Sequence, residues 1–256
     1  KMSRHFGGGG RPAYTFVGGV GGGAAVKALL VLNVGIFVLQ VFDGFAGGAM
    51  LVNSFGLRPS DVTQRFFLWQ LVTYIFLHGD FIHILFNLFL LWMFGGELER
   101  TWGRDEFFRY FFVCGIGAGI SSVIVNPSSG IPTIGASGAV YGILLAYGLL
   151  FPNRMLLVWG IFPIQARYLV MILGGMAFLS SFGQGSSGVA HVAHLGGMIV
   201  GYIYLRGTRF QFRIKDHYDQ WKRERLRRKF EVYYNRKQGE RDRDHEQDAD
   251  SWRWKN

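Results

Sequence analysis

The chain has 256 residues, of which 50% are apolar and only 17% charged, whereas an ordinary soluble domain carries about 25% charged residues. Residues 208–256 alone hold 15 of the 27 Lys and Arg residues and 10 of the 17 Asp and Glu residues. The rest is poor in charge and rich in Phe and Gly, a composition typical of proteins with several membrane-spanning helices. One uniform soluble domain is therefore excluded, and a single cysteine, Cys114, excludes a disulfide framework.

Six apolar stretches approach the roughly 20 residues that a helix needs to cross the hydrocarbon of a bilayer. A Gly-rich segment at residues 1–24 precedes them; it predicts a flexible cytoplasmic lead-in without a cleavable signal peptide. Residues 25–207 then form a predicted six-span domain, and residues 208–256 a polar cytoplasmic tail. The predicted spans lie at about residues 25–42, 82–98, 107–125, 137–151, 167–182 and 189–205.

The distribution of Lys and Arg predicts the orientation of these spans. The connections at 126–136 and 183–188 carry no charged side chain. Because cytoplasmic loops are enriched in Lys and Arg, we expect both termini in the cytoplasm and these two connections on the outer side. The apolar spans predict an integral membrane protein. Basic residues before the tail occur mainly in the predicted cytoplasmic segments: Lys1, Arg4, Arg11, Lys27, Arg100, Arg104, Arg109, Arg154 and Arg167.

The tail combines basic residues with a periodic apolar pattern. Ile214, Tyr218 and Trp221 share one face of a predicted helix. This pattern favours an amphipathic helix that lies on an anionic lipid surface, and a solvated basic extension explains it equally well. Since a membrane already accounts for the positive charge, nucleic acid is not a predicted partner.

Polar side chains interrupt three of the predicted spans. His83 and Asn87 lie in span two, Ser137 begins span four, and His191 and His194 lie in span six. Polar groups within a bilayer cost free energy and are usually functional. All five lie near the outer ends of their spans and at a similar predicted depth, so we expect them to converge.

These residue types indicate acyl transfer. A serine hydroxyl becomes an effective nucleophile when a neighbouring histidine accepts its proton, and amide or imidazole N–H groups stabilise the oxyanion that forms. Gly135 and Gly138 remove side-chain bulk beside Ser137, so a substrate backbone can approach the hydroxyl. Tyr141 follows Ser137 by one helical turn, and we expect its ring to pack beside a histidine of span six.

Small residues predict how the spans pack. Two GxxxG pairs allow close approach of helix backbones in lipid and predict tight packing of spans four and six. The pairs are Gly138 with Gly142 and Gly197 with Gly201. Cys114 is expected to be a small core residue, and His78 a structural residue.

Three motifs together resemble the rhomboid intramembrane serine proteases: HILFN at 83–87, GASG at 135–138 and AHLGG at 193–197. The similarity covers about residues 25–207 and includes GGELE at 95–99. It implies an all-α, polytopic membrane protein with the six-helix bundle of the minimal bacterial type. It also implies a re-entrant hairpin loop after the first span, around residues 43–81.

The resemblance assigns roles by position. It implies that Ser137 is the nucleophile and His194 the general base, and that Glu99 is a structural brace for the loop after the first span. In many members of the family this loop carries an adjacent Trp-Arg pair, whereas here Gln70 follows Trp69. The implied oxyanion hole comprises His83, Asn87 and the backbone N–H of Ser137, and the implied supporting residues are Gly135, Gly138, Tyr141 and Gly197.

The predicted function is that of an intramembrane serine endopeptidase without a cofactor or metal, which cleaves transmembrane-helix substrates near the outer membrane surface. The alternative is a non-catalytic rhomboid-like protein that binds client transmembrane helices. A metalloprotease using His191 and His194 is disfavoured because HVAH lacks both the glutamate and the spacing of HExxH. A transporter is disfavoured because internal repeats are not evident.

Overall fold

A computed structural model of the chain describes residues 23–158, 162–181 and 191–207. The predicted lead-in up to residue 22, the outer connection at 183–190 and the tail from residue 208 lie outside these ranges. The helices of the described residues are α1 Ala24–Phe45, α2 Met50–Phe55, α3 Pro59–Arg65, α4 Gln70–Thr73, α5 Phe81–Leu90, α6 Gly96–Trp102, α7 Arg104–Val125, α8 Ser137–Leu150, α9 Ala166–Ser181 and α10 at 191–207.

Two short helical turns complete this set. A 3₁₀ turn, Tyr74–Phe76, follows α4, and a π-helical turn, Leu91–Gly95, joins α5 to α6. The result is one continuous helix from Phe81 to Trp102. A π-helical turn accommodates one residue more than a regular turn, and such turns commonly occur at functional positions.

Three helices of the described residues are long and apolar enough to cross a membrane: α1, the continuous helix Phe81–Trp102, and α7. They correspond to the first three predicted spans. Shorter apolar helices occur at Ser137–Leu150 and Ala166–Met176, where spans four and five are predicted. The helix at 191–207 corresponds to span six.

The described residues are mostly helical, as predicted, but a β-hairpin that the sequence did not predict lies between α8 and α9. Strand β1, Met155–Val158, pairs antiparallel with β2, Phe162–Gln165, so that Met155 faces Gln165 across the ladder. Short runs of Leu, Val, Ile and Phe favour extended backbone, and Pro163 disfavours a helix interior. Hydropathy identified this segment only as a connection between two spans.

The helix pair α7 and α8 forms the centre of the core. The α8 helix is apolar on most sides and largely buried, as expected for a helix inside a bundle. Tyr110 on α7 donates its hydroxyl to the carbonyl oxygen of Gly142 on α8 at 2.8 Å. A Cβ at Gly142 would lie 2.5 Å from the sulfur of the buried Cys114, so the absence of a side chain permits this approach.

The beginning of α1 is fixed by a carboxylate of α6. Glu99, which is buried, accepts the N–H groups of Ala25 at 2.8 Å and Val26 at 2.9 Å. The first N–H groups of a helix lack intrahelical acceptors, and the helix dipole favours negative charge there. The sequence predicted that Glu99 braces the loop after the first span; in the structure its carboxylate caps the start of that span. A Cβ at Gly23 would overlap this carboxylate.

The loop after α1 is anchored by other side chains. The indole N–H of Trp69 donates to the carbonyl oxygen of Ser54 at 3.0 Å. Gln70 is fully buried, and its amide oxygen accepts the N–H of Arg58 at 3.0 Å. A neutral glutamine thus satisfies a backbone donor at the position that follows Trp69.

The end of the same loop is tied back to α1. The side-chain amide of Gln40 accepts the N–H of His78 at 2.9 Å and donates to the carbonyl oxygen of His78 at 3.1 Å. The two hydrogen bonds fix the position of the chain immediately before α5. The end of this loop is therefore held by the first helix.

Replacing Glu99 with Ala should lower the free energy of unfolding by about 3 kcal/mol, because two buried N–H groups lose a charged acceptor. Unfolding in mixed micelles of increasing SDS fraction, followed by circular dichroism, measures this loss. The matched control is Asp105→Ala, since Asp105 is exposed and pairs with the adjacent Arg104; its loss should stay under about 1 kcal/mol. Equal losses in both variants would contradict the capping role.

Candidate active site

The turn before α8 depends on a glycine. Gly135 has a φ of +123°, a conformation that side-chain-bearing residues rarely adopt. Its N–H donates to the carbonyl oxygen of Tyr74 at 2.9 Å. Ser137 then begins α8, as predicted. The path of the chain into the serine is therefore fixed by a hydrogen bond to the loop that follows α1.

The structure brings the predicted serine and histidine together. The Nε2 atom of His194 on α10 lies 2.7 Å from the Oγ atom of Ser137 on α8, although the two residues are 57 positions apart. When the hydroxyl donates to Nε2, the imidazole proton is on Nδ1. In this arrangement the ring can accept the hydroxyl proton directly.

Glycines allow α8 and α10 to approach each other. A Cβ at Gly197 would overlap the carbonyl oxygen of Gly138 on α8, and a Cβ at Gly138 would overlap the side-chain methyl group of Ala118 on α7. The predicted close packing of spans four and six thus occurs through backbone contact. We call this pair, Gly138 and Gly197, the glycine contact. It lies one residue after Ser137 and three residues after His194.

Aromatic packing orients the imidazole of His194. The ring of Tyr141 stacks on it with a centroid distance of 4.3 Å and an interplanar angle of 4°, as predicted. The ring of His191 meets the same imidazole edge-on at 5.7 Å. Within the described part of the chain, Nδ1 of His194 has no hydrogen-bond partner. Among the described residues, the imidazole is therefore oriented by ring stacking and not by a hydrogen bond to a carboxylate.

His83 lies beside the serine turn. A Cβ at Gly135 would lie 2.9 Å from Cε1 and Nε2 of His83 and 3.7 Å from Oγ of Ser137. The imidazole of His83 and the hydroxyl of Ser137 thus border the same glycine. Asn87, by contrast, donates its side-chain amide to the carbonyl oxygen of His83 at 3.0 Å, within its own helix.

Sequence reasoning missed two residues that position the site. Asp80 accepts the N–H of His83 at 2.8 Å and thereby caps the start of α5; an aspartate just before an apolar run is a recognised N-cap signal. Tyr74 donates its hydroxyl to the carbonyl oxygen of Gly115 on α7 at 2.6 Å, while its own carbonyl accepts from Gly135. No local signal predicts Tyr74, because both partners are distant in sequence.

His78, expected to be structural, is buried and packs edge-on against His83 with a centroid distance of 5.1 Å. It contributes to no metal-binding cluster. Among the described residues, no group of three or more His, Cys, Asp or Glu side chains is arranged to hold a metal ion.

This combination of helices and site corresponds to a known family. The sequence model of the Rhomboid domain matches residues 65–209, which is more than half of the chain. The chain therefore belongs to the rhomboid family. Together with its long apolar helices, this membership makes it an integral membrane protein.

Three relatives illustrate the similarity. The chain is 28% identical over 196 residues to rhomboid protease GluP of Bacillus subtilis, which covers 76% of this chain and 34% of GluP. It is 28% identical to rhomboid protease GlpG of Yersinia pestis, covering 71% of this chain and 61% of GlpG. It is 30% identical to the mitochondrial Rhomboid protein 1 of Saccharomyces cerevisiae, covering 70% and 51%. The chain thus spans less than two thirds of each relative.

Replacing Gly197 with Ala should destabilise the protein by at least about 1–3 kcal/mol, the usual cost of overpacking, because the new methyl group overlaps backbone that cannot rotate away. Thermal unfolding in detergent micelles measures this effect. Gly175→Ala is the matched control, since a Cβ at Gly175 on α9 meets no atom within 4 Å. Similar melting temperatures for the two variants would contradict the glycine contact.

Proposed function

We propose that this protein is an intramembrane serine endopeptidase that cleaves transmembrane-helix substrates near the outer membrane surface through a Ser137–His194 dyad. The observation that carries this proposal is the 2.7 Å contact between Oγ of Ser137 and Nε2 of His194. The names of GluP and GlpG as rhomboid proteases support peptide hydrolysis as the activity.

In the proposed reaction, Nε2 of His194 accepts the hydroxyl proton while Oγ of Ser137 attacks the scissile carbonyl carbon. The tetrahedral intermediate then collapses, and the leaving amine takes the proton from His194. This step leaves an acyl-enzyme ester on Ser137. Water, deprotonated by the same imidazole, hydrolyses the ester and regenerates the hydroxyl. No cofactor or metal takes part in this sequence.

The proposed oxyanion hole comprises the imidazole of His83, the amide of Asn87 and the backbone N–H of Ser137. The position of His83 beside Gly135 supports its inclusion. The N–H of Ser137 is the first of α8 and belongs to the set of helix N-terminal donors that lack intrahelical acceptors. The side-chain amide of Asn87 has two hydrogens. One is used in the bond to the His83 carbonyl oxygen, and the other can donate to the oxyanion.

The length of α8 supports a site below the membrane surface. Its 14 residues span about 21 Å, whereas the hydrocarbon of a bilayer is about 30 Å thick. With the end of α8 near the inner boundary, Ser137 lies within the outer half of the bilayer. We propose six spans in total, α1, Phe81–Trp102, α7, α8, α9 and α10, with the loop at 46–80 as the re-entrant hairpin.

We further propose the domain order and the location. Residues 1–24 form a cytoplasmic lead-in, residues 25–207 the protease domain, and residues 208–256 a cytoplasmic tail on anionic lipid. The excess of Lys and Arg in these end segments supports cytoplasmic termini. The minimal architecture supports a bacterial inner membrane, although the name of the yeast relative places that protein in mitochondria.

The proposed substrates are transmembrane proteins whose helices unwind readily. Every backbone group of a helix in lipid is hydrogen-bonded within the helix, so a scissile bond is accessible only after local unwinding. Small or helix-breaking residues near the cleaved bond reduce this cost. A substrate helix that lacks them should be cleaved slowly.

A fluorophosphonate probe tests the proposed nucleophile without a known substrate. Purified protein in lipid vesicles should form an adduct that peptide mapping locates at Ser137, because His194 activates this hydroxyl. Ser137→Ala and His194→Ala should abolish labelling. Ser128→Ala, which changes an exposed serine in the connection before α8, should label as the parent does.

Absence of an adduct in the folded parent protein would overturn the proposal. The alternative, a rhomboid-like protein that binds client helices without cleaving them, would then take its place. The same conclusion would follow if Ser137→Ala retained full biological effect.

Removal of an oxyanion donor should slow the chemical step. His83→Ala and Asn87→Ala should each lower kcat by about 10²–10³-fold with a smaller change in KM, as for single donors in other acyl-transfer sites. Cleavage of a reporter transmembrane substrate in vesicles measures both constants. Asn153→Ala, an exposed position after α8, should leave kcat at the parent value. An unchanged kcat in Asn87→Ala would remove Asn87 from the hole.

A further inference from the structure

The β-hairpin between α8 and α9 exposes large apolar side chains. The side chain of Phe162 is 65% exposed and that of Leu157 is 47% exposed. In the ladder Leu157 pairs with Pro163, and Val158 pairs with Phe162. Successive side chains of a strand point to opposite faces, so both faces of the hairpin carry apolar groups. Gln165 is the only polar residue from 155 to 165. A two-stranded hairpin is at best marginally stable in water, so an apolar environment accounts for this composition.

The base of the hairpin is fixed to the bundle. The N–H of Ala166 donates to the carbonyl oxygen of Arg154 at 2.9 Å and closes the hairpin. The guanidinium of Arg154 forms an ion pair with Glu97 on α6, and Tyr147 on α8 donates its hydroxyl to the same carboxylate at 2.9 Å. The hairpin is thus held at the end of α8 that lies opposite Ser137.

The neighbours of the hairpin indicate its environment. It joins two apolar helices, α8 and α9, so its base lies where these helices reach the membrane boundary. Arg167, just after the hairpin, is exposed, and its guanidinium lies 4.7 Å from the ring centroid of Tyr168. Exposed arginine next to tyrosine suits the headgroup region, where phosphates accept guanidinium hydrogen bonds and amphipathic rings are enriched.

The backbone of the hairpin limits how deep it can lie. Each of its two strands has one edge whose N–H and C=O groups have no ladder partner. Hydrocarbon offers no hydrogen bonds to such groups, whereas the interface supplies water and headgroup oxygens. An interfacial position therefore satisfies the backbone edges and the apolar side chains together.

We propose that this hairpin is a membrane-interface anchor. Leu157 and Phe162 insert among the acyl chains of the leaflet next to the end of α8, and Arg167 contacts lipid phosphates. In the topology proposed above this is the cytoplasmic leaflet. The anchor does not depend on proteolysis, so it stands or fails independently of the Ser137–His194 dyad.

Site-directed spin labelling tests the anchor in the full chain. Cys114, the only native cysteine, is buried, so the parent protein serves as the blank. Single cysteines are introduced by Leu157→Cys and Phe162→Cys, and by Asp105→Cys as an exposed control at the start of α7, on the same side of the proposed topology. The labelled proteins are reconstituted in vesicles of phosphatidylcholine and phosphatidylglycerol.

Accessibility to molecular oxygen is compared with accessibility to a water-soluble nickel chelate. The oxygen-to-nickel ratio at positions 157 and 162 should be several-fold higher than at 105, because oxygen partitions into lipid. Arg167→Gln should lower the ratio at 162 in these vesicles and have less effect in pure phosphatidylcholine. A nickel accessibility at both hairpin positions equal to that at 105 would overturn the anchor, since the hairpin would then lie in water. Low accessibility to both reagents would also overturn it, because protein rather than lipid would cover the hairpin.

Discussion

The backbone contact between Gly138 and Gly197 is the constraint on which the site depends. A side chain at Gly197 would push α10 away from the backbone of α8. The hydroxyl of Ser137 lies one residue from this contact, and the imidazole of His194 lies three residues from it. A shift of even 1 Å between these helices would lengthen the 2.7 Å contact of Ser137 with His194 beyond an ordinary hydrogen bond. The absence of a side chain at Gly197 thus permits the short distance between the hydroxyl and the imidazole.

The loop after α1 also fixes the position of the serine turn. Tyr74 contacts the backbone of α7 through its hydroxyl and the serine turn through its carbonyl oxygen. Gln40 ties the end of the loop to α1, and Glu99 holds the start of α1 against α6. Each link pairs a backbone group of a buried residue, and a buried backbone group is costly to leave without a partner. The serine turn is therefore positioned through hydrogen bonds that extend back to the first helix.

The sequence predicted the apolar helices and the convergence of the motif residues. Apolar stretches gave helices close to their observed bounds, and the motif residues Ser137, His194 and Tyr141 lie together as expected. The sequence did not predict contacts between residues that are distant along the chain. The N–H groups that donate to Glu99, at the start of α1, lie more than 70 residues away in the sequence. Tyr74 contacts the serine turn through its backbone carbonyl, which no side-chain pattern reveals. The sequence did not predict the β-hairpin because hydropathy does not distinguish an extended apolar run from a loop between spans.

The π-helical turn at Leu91–Gly95 has a consequence for the continuous helix Phe81–Trp102. An extra residue in a turn rotates everything beyond it about the helix axis relative to an ideal helix. One half of the helix can therefore point His83 toward the serine turn while the other half points Glu99 toward α1 and Glu97 toward α8. The π-helical turn thus offsets the angular phase of the segment before it, which carries His83, from that of the segment after it, which carries Glu97 and Glu99.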